Sequence, residues 1–322
     1  MSAGSDVVLR AEGLVKTYRS GRQTLTAVDG VGLELRAGET LGVVGESGCG
    51  KSTLARLLMG IEKPDRGTVE IDGKPMPSGR RRFLESSRHI QMVFQDPYTS
   101  LNPRMTVGDI VREPFEIHAS KLSRAARDAR VAELFERVGL SPDNRHRYPS
   151  EFSGGQRQRV GIARALALEP RVIVCDEPVA ALDVSVQAQV VNLLTDLSSD
   201  LGISYVFIAH DLSVMRQISD RIAVMYLGRI VEEGPVDRVF DAPEHPYTRA
   251  LIDAVPVPDP EQSGSDAGLL QGDVPSPLRI PSGCAFRTRC PIAQDRCAAD
   301  RPPLSPGAGG GSVACHFPLV AV

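Results

Sequence analysis

Gly45-Glu46-Ser47-Gly48-Cys49-Gly50-Lys51-Ser52-Thr53 is the stretch on which the reading of this 322-residue chain turns. It follows an apolar run, Leu41–Val44, that reads as a strand, and it opens a helical pattern over Lys51–Met59. Glycines let a backbone curl until successive N–H groups point at phosphate oxygens, and the helix that follows adds the partial positive charge of its N-terminus. Lys51 is then placed to pair with the phosphates, and Ser52 to give its hydroxyl to Mg²⁺, which prefers oxygen ligands. The pattern predicts a phosphate-binding loop, a device shared by many unrelated ATPases and GTPases.

Outward from that loop, residues 6–255 alternate β-rich runs such as Val172–Cys175 and Tyr205–Ile208 with helical patterns such as Val186–Leu197. The alternation predicts an α/β domain with a mostly parallel sheet covered by helices. Between about residues 96 and 168 no strand pattern stands out and Ser120–Val138 reads as a helix, so a helical subdomain is expected to be inserted there. Beyond Val255 the chain turns to Val-Pro-Val-Pro-Asp-Pro and then to dense Gly, Ser and Pro; residues 256–322 form a loop-rich extension too poor in apolar residues for a core of its own.

A net charge of −3 gives no support to nucleic-acid binding through overall charge, and Arg80-Arg81-Arg82 reads as a solvated basic run. No stretch approaches the roughly 18 to 20 apolar residues of a membrane-spanning helix, and Met1–Asp6 lacks a signal peptide's apolar centre. The expected place is cytoplasmic, with any membrane work done by docking on separate spanning subunits. No internal repeat suggests two fused copies.

Four further elements narrow the choice. Phe152-Ser153-Gly154-Gly155-Gln156 precedes Arg157-Gln158-Arg159 and the helical Val160–Leu168; Val172–Cys175 ends in Asp176-Glu177-Pro178; Gln95 follows the strand Ile90–Phe94; His210 ends the strand Tyr205–Ala209. In this order they closely resemble the motifs of ATP-binding-cassette (ABC) ATPases, a phosphate-loop NTPase family, with Phe152 where Leu is usual. The resemblance implies that Ser153, Gly154, Gly155 and Gln156 reach across a dimer to the γ-phosphate held by the partner's loop. It implies that Asp176 holds Mg²⁺ with Ser52 and Gln95, that Glu177 is the general base, and that His210 bonds the γ-phosphate. It further implies that Tyr18 stacks on adenine and that Asp183, in Ala180-Ala181-Leu182-Asp183, lies in the loop crossing between the two ATP sites, although Ala180 stands where Ser is common.

Gln95-Asp96-Pro97-Tyr98-Thr99-Ser100-Leu101-Asn102-Pro103-Arg104-Met105-Thr106-Val107, Asp176-Glu177-Pro178-Val179-Ala180-Ala181-Leu182-Asp183-Val184-Ser185 and His245-Pro246-Tyr247-Thr248-Arg249-Ala250-Leu251 resemble the dipeptide and oligopeptide importer branch, and within it the F-type of the two sister ATPases. That branch implies two membrane-spanning permease subunits, a sister ATPase or second copy, an extracytoplasmic substrate-binding protein, no nucleic acid, and a peripheral position on the cytoplasmic face of the membrane. By residues alone His245–Leu251 is a turn leading into a short helix. The rival reading is a soluble cassette ATPase acting on nucleic acid or ribosomes; a regulatory cassette with a dead site is disfavoured by the presence of Lys51, Asp176, Glu177 and His210.

Cys284-x5-Cys290-Pro291-x5-Cys297-x17-Cys315 sets four thiols in the loop-rich extension, with His316 as a spare ligand. Four thiolates around one centre could replace a missing apolar core, because metal-binding free energy can act as folding free energy. Zn²⁺ and a [4Fe–4S] cluster both use four cysteines, and free thiols or disulfides remain open. Resemblance to the branch's extension inclines the reading towards the cluster.

Overall fold

The computed structural model describes residues 7–21, 23–76, 84, 86–118, 122–255 and 274–320. The opening Met1–Asp6, the run Arg80–Arg82, Ser120 and the Pro-, Gly- and Ser-rich residues 256–273 lie outside them.

Strands β1 (Val7–Ser20), β2 (Gln23–Arg36), β3 (Thr40–Val44), β4 (Arg66–Ile71), β5 (Lys74–Pro75), β6 (Ile90–Val93), β7 (Val172–Asp176), β8 (Ser204–Ala209), β9 (Arg221–Tyr226), β10 (Arg229–Pro235), β11 (Ser305–Pro306) and β12 (Ser312–Val313) form two sheets. In the larger, ordered β11-β12-β10-β9-β3-β8-β7-β6, the five strands from β9 to β6 run parallel and the β10, β12 and β11 edge is antiparallel. The smaller, β2-β1-β4-β5, is antiparallel.

β3, β7 and β8 are buried along their whole length, which is why they read as unbroken apolar runs. Alternate side chains enter different cores. Val172, Val174, Val206, Ile208, Leu41 and Val43 pack with the helix Lys51–Leu58 and the antiparallel sheet, whereas Ile173, Cys175, Tyr205 and Phe207 face the helices on the other side. From Pro97 to Leu166 the described residues form helices Pro97–Ser100, Val107–His118, Arg124–Arg137 and Gly154–Leu166, with no strand. The helix read as Ser120–Val138 starts at Arg124, where the Ser123 hydroxyl accepts the Ala126 N–H at 3.2 Å.

The antiparallel sheet has no counterpart in the sequence reading. Its long strands β1 and β2 pair through several register shifts, and each shift breaks the two-residue alternation by which a half-buried strand is recognised.

The C-terminal residues join the main domain instead of forming a core of their own. β12 pairs with β10, and Phe286 is 1% exposed, its ring 5.4 Å from both Tyr226 and Tyr247 and 5.8 Å from His245. Burial of one such aromatic contributes about 1.5–3 kcal/mol. His245 caps the helix Pro246–Asp253: its Nδ1 accepts the Tyr247 N–H at 3.1 Å. The fully buried Glu232 carboxylate accepts the N–H groups of Glu244 and His245 at 2.8 and 2.9 Å and pairs with Arg238 at 2.5 Å.

Burial pushes the pKa of His245 from 6.5 down to about 3, so the ring that accepts from Tyr247 is neutral. Above pH 6.5 the ring is neutral in folded and unfolded chains alike, and its stabilising contribution is fully present. Below that, only the unfolded chain takes up the proton, so stability falls by up to about 1.4 kcal/mol per pH unit as pH drops towards the folded value. His245→Asn keeps a capping acceptor without the titration. Thermal midpoints measured between pH 7.5 and 4.5 are expected to fall less steeply for the variant; parallel curves would show that the ring does not stay neutral in the fold.

Candidate nucleotide site

The loop between β3 and the helix Lys51–Leu58 is held by close approaches of main chain. A β-carbon at Gly45 would lie 2.1 Å from the Met225 carbonyl oxygen, and one at Gly50, whose φ is 108°, would lie 2.1 Å from that of Ala27. The Gly228 N–H donates to the Cys49 carbonyl at 2.8 Å. Lys51 is buried, and its Nζ donates to the carbonyls of Gly45 and Glu46 at 2.7 and 3.1 Å. The ammonium is thus stationed at the mouth of the curled backbone.

Strand β7 delivers the two carboxylates. Asp176 is buried and accepts the Ser52 hydroxyl at 3.2 Å; burial raises its pKa, opposed by that hydrogen bond. Glu177 has φ 48°, an uncommon backbone state for a side chain of this size, and its N–H donates to Ile208 at 2.8 Å. That turn brings its Oε2 to 2.6 Å from the donating Gln95 Nε2 and 3.5 Å from His210 Nδ1.

One cavity is lined by Tyr18, Leu25–Ala27, Ser47, Gly48, Cys49, Gly50, Lys51, Ser52, Thr53, Gln95, Glu177, Leu227, Gly228 and Pro277. Tyr18 stands on its wall, its hydroxyl bonded to Glu62, and burial followed by that carboxylate raises its pKa. The structure therefore brings together the phosphate loop, Tyr18, Gln95, Asp176, Glu177 and His210.

Ser153, Gly154, Gly155, Gln156 and Asp183 are not on the cavity wall. Ser153 and Gln156 form a reciprocal cap at the start of the helix Gly154–Leu166. A β-carbon at Gly155 would lie 2.4 Å from Val186 Cγ1, so this cap packs closely on the helix Val184–Leu201, which Asp183 precedes. Asp183 and its neighbour Val184 are exposed. Behind the cap, Arg157 stacks 3.8 Å over the Tyr98 ring and Arg164 donates to the Ser100 carbonyl at 2.7 Å, tying this helix to the segment that carries Gln95.

Three residues to which the sequence reading gave no part in the site also shape it. The Tyr247 hydroxyl accepts the Glu46 N–H at 2.9 Å, the Arg289 guanidinium grips the Glu46 carboxylate at 2.8 and 3.0 Å, and Pro277 lies on the cavity wall. The segment His245–Leu251, read as a turn and short helix, is in contact with the phosphate loop. Apart from the loop's own position 46, the partners are more than 200 residues away, beyond any spacing rule.

Cys284, Cys290, Cys297 and Cys315 line one small cavity with His316. Burial, then the other three cysteines, pushes the Cys315 thiol up to about 11. All six cysteines are free, and among the described residues no three His, Cys, Asp or Glu side chains are grouped as ligands of a metal ion. The four-cysteine ligand set read from the sequence is thus present as a shared cavity and not as a formed metal centre.

Among the described residues no helix is long and apolar enough to cross a membrane. Residues 28–180 match the family described as ABC transporter, and residues 231–297 the oligopeptide/dipeptide transporter C-terminal region. The chain is 56% identical over 297 residues to the oligopeptide transport ATP-binding protein OppF of Escherichia coli, covering 91% of this chain and 88% of that protein. It is 54% identical over 320 residues to the probable peptide ABC transporter ATP-binding protein y4tS of Sinorhizobium fredii, covering 97% and 90%. Among solved structures it resembles cbiO1 from Clostridium perfringens, part of the ABC transporter complex cbiONQ, at a TM-score of 0.66 and 31% identity over 74% of this chain and 92% of that one. It also resembles the dimeric ATP-binding cassette MJ0796 bound to ADP and Pi, at 0.65 and 30% over 71% and 98%. With the motifs assembled around one cavity and these relatives spanning nearly its whole length, this chain belongs to the ABC transporter ATPases, in the oligopeptide/dipeptide group.

Proposed function

We propose that this chain binds and hydrolyses ATP to drive an importer of peptides or a related small solute. The observation that carries the reading is the convergence of Gln95 and His210 on one oxygen of Glu177, beside the Ser52–Asp176 pair and the Lys51 loop. Residues 6–255 serve as the nucleotide-binding domain, with 96–168 as its helical subdomain, and 256–322 as the extension. Gly45, Ser47–Thr53 and Lys51 hold the phosphates; Ser52, Gln95 and Asp176 offer oxygens for Mg²⁺; Tyr18 offers a ring for adenine. The resident metal would supply charge neutralisation at the phosphates. Glu177 orients and polarises the attacking water, and His210, largely exposed beside it, is placed for the γ-phosphate.

Ser153–Gln156 and Asp183 lie off this cavity, which suits their service to a second cassette facing the first. The relatives' part in peptide and oligopeptide transport, and the dimeric state of one structural neighbour, support a pair of cassettes serving a transporter, which membrane permease subunits and an extracytoplasmic binding protein would complete. The chain then sits peripherally on the cytoplasmic face of the membrane.

For the extension, Cys284, Cys290, Cys297 and Cys315, which share a cavity without being grouped as ligands, would have to draw together to hold a structural group, a [4Fe–4S] cluster or alternatively Zn²⁺. Such a group would cross-link loops that have few apolar contacts of their own.

Glu177→Gln in both cassettes of the assembled complex is expected to cut steady-state ATP hydrolysis at least about a hundredfold and to stop uptake of labelled peptide, with ATP still bound. Undiminished turnover would remove Glu177 from the role of base. Anaerobically purified chain is expected to carry about four iron and four acid-labile sulfide per molecule. One zinc without iron would replace the cluster by zinc, and neither metal would overturn the four-thiolate group.

A further inference from the structure

Glu46 occupies the second position of the phosphate loop, where a carboxylate opposes the triphosphate the loop is built to hold. Its surroundings resolve that conflict. Arg289, with a side chain only 4% exposed, meets both carboxylate oxygens at 2.8 and 3.0 Å. Such two-pronged charged pairs are short, directional and stronger than neutral hydrogen bonds. Neither residue lines the nucleotide cavity, so the pair lies outside the space between Lys51 and Tyr18.

The main chain of residue 46 is held as well. Its N–H donates to the Tyr247 hydroxyl at 2.9 Å, and its carbonyl accepts from Lys51 Nζ at 3.1 Å. A displacement of residue 46 therefore moves a partner of the lysine that faces the phosphates. Arg289 itself is set by its neighbours: its N–H donates to the Phe286 carbonyl at 2.9 Å, and Phe286 packs against the touching Tyr226 and Tyr247 rings, 5.4 Å from each.

We propose that Arg289 is a positioning residue of the nucleotide site, which neutralises Glu46 and fixes the phosphate loop in its binding shape. The C-terminal extension thereby sets ATP affinity from outside the cavity, on whose wall its Pro277 also lies. This rests on the nucleotide-site reading above and goes beyond it, because it gives a role in ATP binding to a segment with no nucleotide motif.

The test is equilibrium binding of MgATP to the purified full-length chain, by calorimetry, with thermal midpoints recorded alongside. Arg289→Met leaves the carboxylate uncompensated and is expected to raise Kd at least about tenfold. Glu46→Gln/Arg289→Met removes the offending charge as well and is expected to return Kd to within about threefold of wild type, a recovery that loss of general packing would not give. Arg301→Met, which breaks an exposed pair with Asp29 elsewhere on the same segment, serves as a control with unchanged affinity. Should Arg289→Met fail to fold, Arg289→Lys keeps the charge, loses the two-pronged geometry and raises Kd severalfold. A folded Arg289→Met binding within twofold of wild type, or a double variant as weak as the single one, overturns the proposal. Lys51→Ala separates the two readings: if it binds MgATP as well as wild type does, the nucleotide site itself is misplaced and both fall.

Discussion

Two carbonyl oxygens, those of Met225 and Ala27, stand 2.1 Å from where β-carbons at positions 45 and 50 would be, too close for either to exist. Met225 belongs to the parallel sheet and Ala27 to the antiparallel one, so the phosphate loop is pinched between two layers that share no strand. With the Gly228 N–H on the Cys49 carbonyl, the curl of the loop is hemmed in by main chain from both layers. The helix Lys51–Leu58 then starts at a fixed point, and Lys51 and Ser52 with it. Any side chain at 45 or 50 would push the two sheets apart before it disturbed the nucleotide.

The carboxylates are set by a second constraint. β7 is buried between β6 and β8, and its apolar residues leave Asp176 and Glu177 no freedom to slide. Burial alone would favour a protonated Asp176; the Ser52 hydroxyl and the positive charge of Arg56 and Lys51 oppose that. At Glu177 the chain bends into positive φ, a conformation that costs on the order of 1–3 kcal/mol, and the bend is what aims the carboxylate at Gln95 and His210. Strain here is compensated by the surrounding strands, whose packing would have to break before the residue could relax.

Much of this was legible in the residues because it is local. A buried strand, a glycine-rich turn and a helix lie within twenty residues of one another, and β7 with its terminal acids is a single run. The antiparallel sheet was not legible, since the register shifts between β1 and β2 erase alternation. Nor were Tyr247, Arg289 and Pro277, which reach the loop across more than two hundred residues of chain. Glu46 has no role of its own in the motif, and its meaning appears only when its partner Arg289 does. The four cysteines were legible as a cluster in sequence, and they do share a cavity, but spacing alone does not dictate ligand geometry.

The extension's attachment follows from its poverty in apolar residues. Phe286, with Cys284, Ala285 and Cys290, packs on the main core and β12 pairs with β10; charged and polar contacts add to these, Arg289 to Glu46, Arg301 to Asp29 at 3.2 Å and the Ala308 N–H to Glu244 at 2.7 Å. Contacts of this kind add modestly when made and cost far more when one partner is withdrawn, because a partly buried charge is left without its counterpart. Glu46 is such a charge, and it lies in the loop on which ATP binding depends. Among these contacts it is the Arg289–Glu46 pair that cannot be withdrawn without consequence for the site, and through it the segment that resembles an appendage in composition supports the phosphate loop.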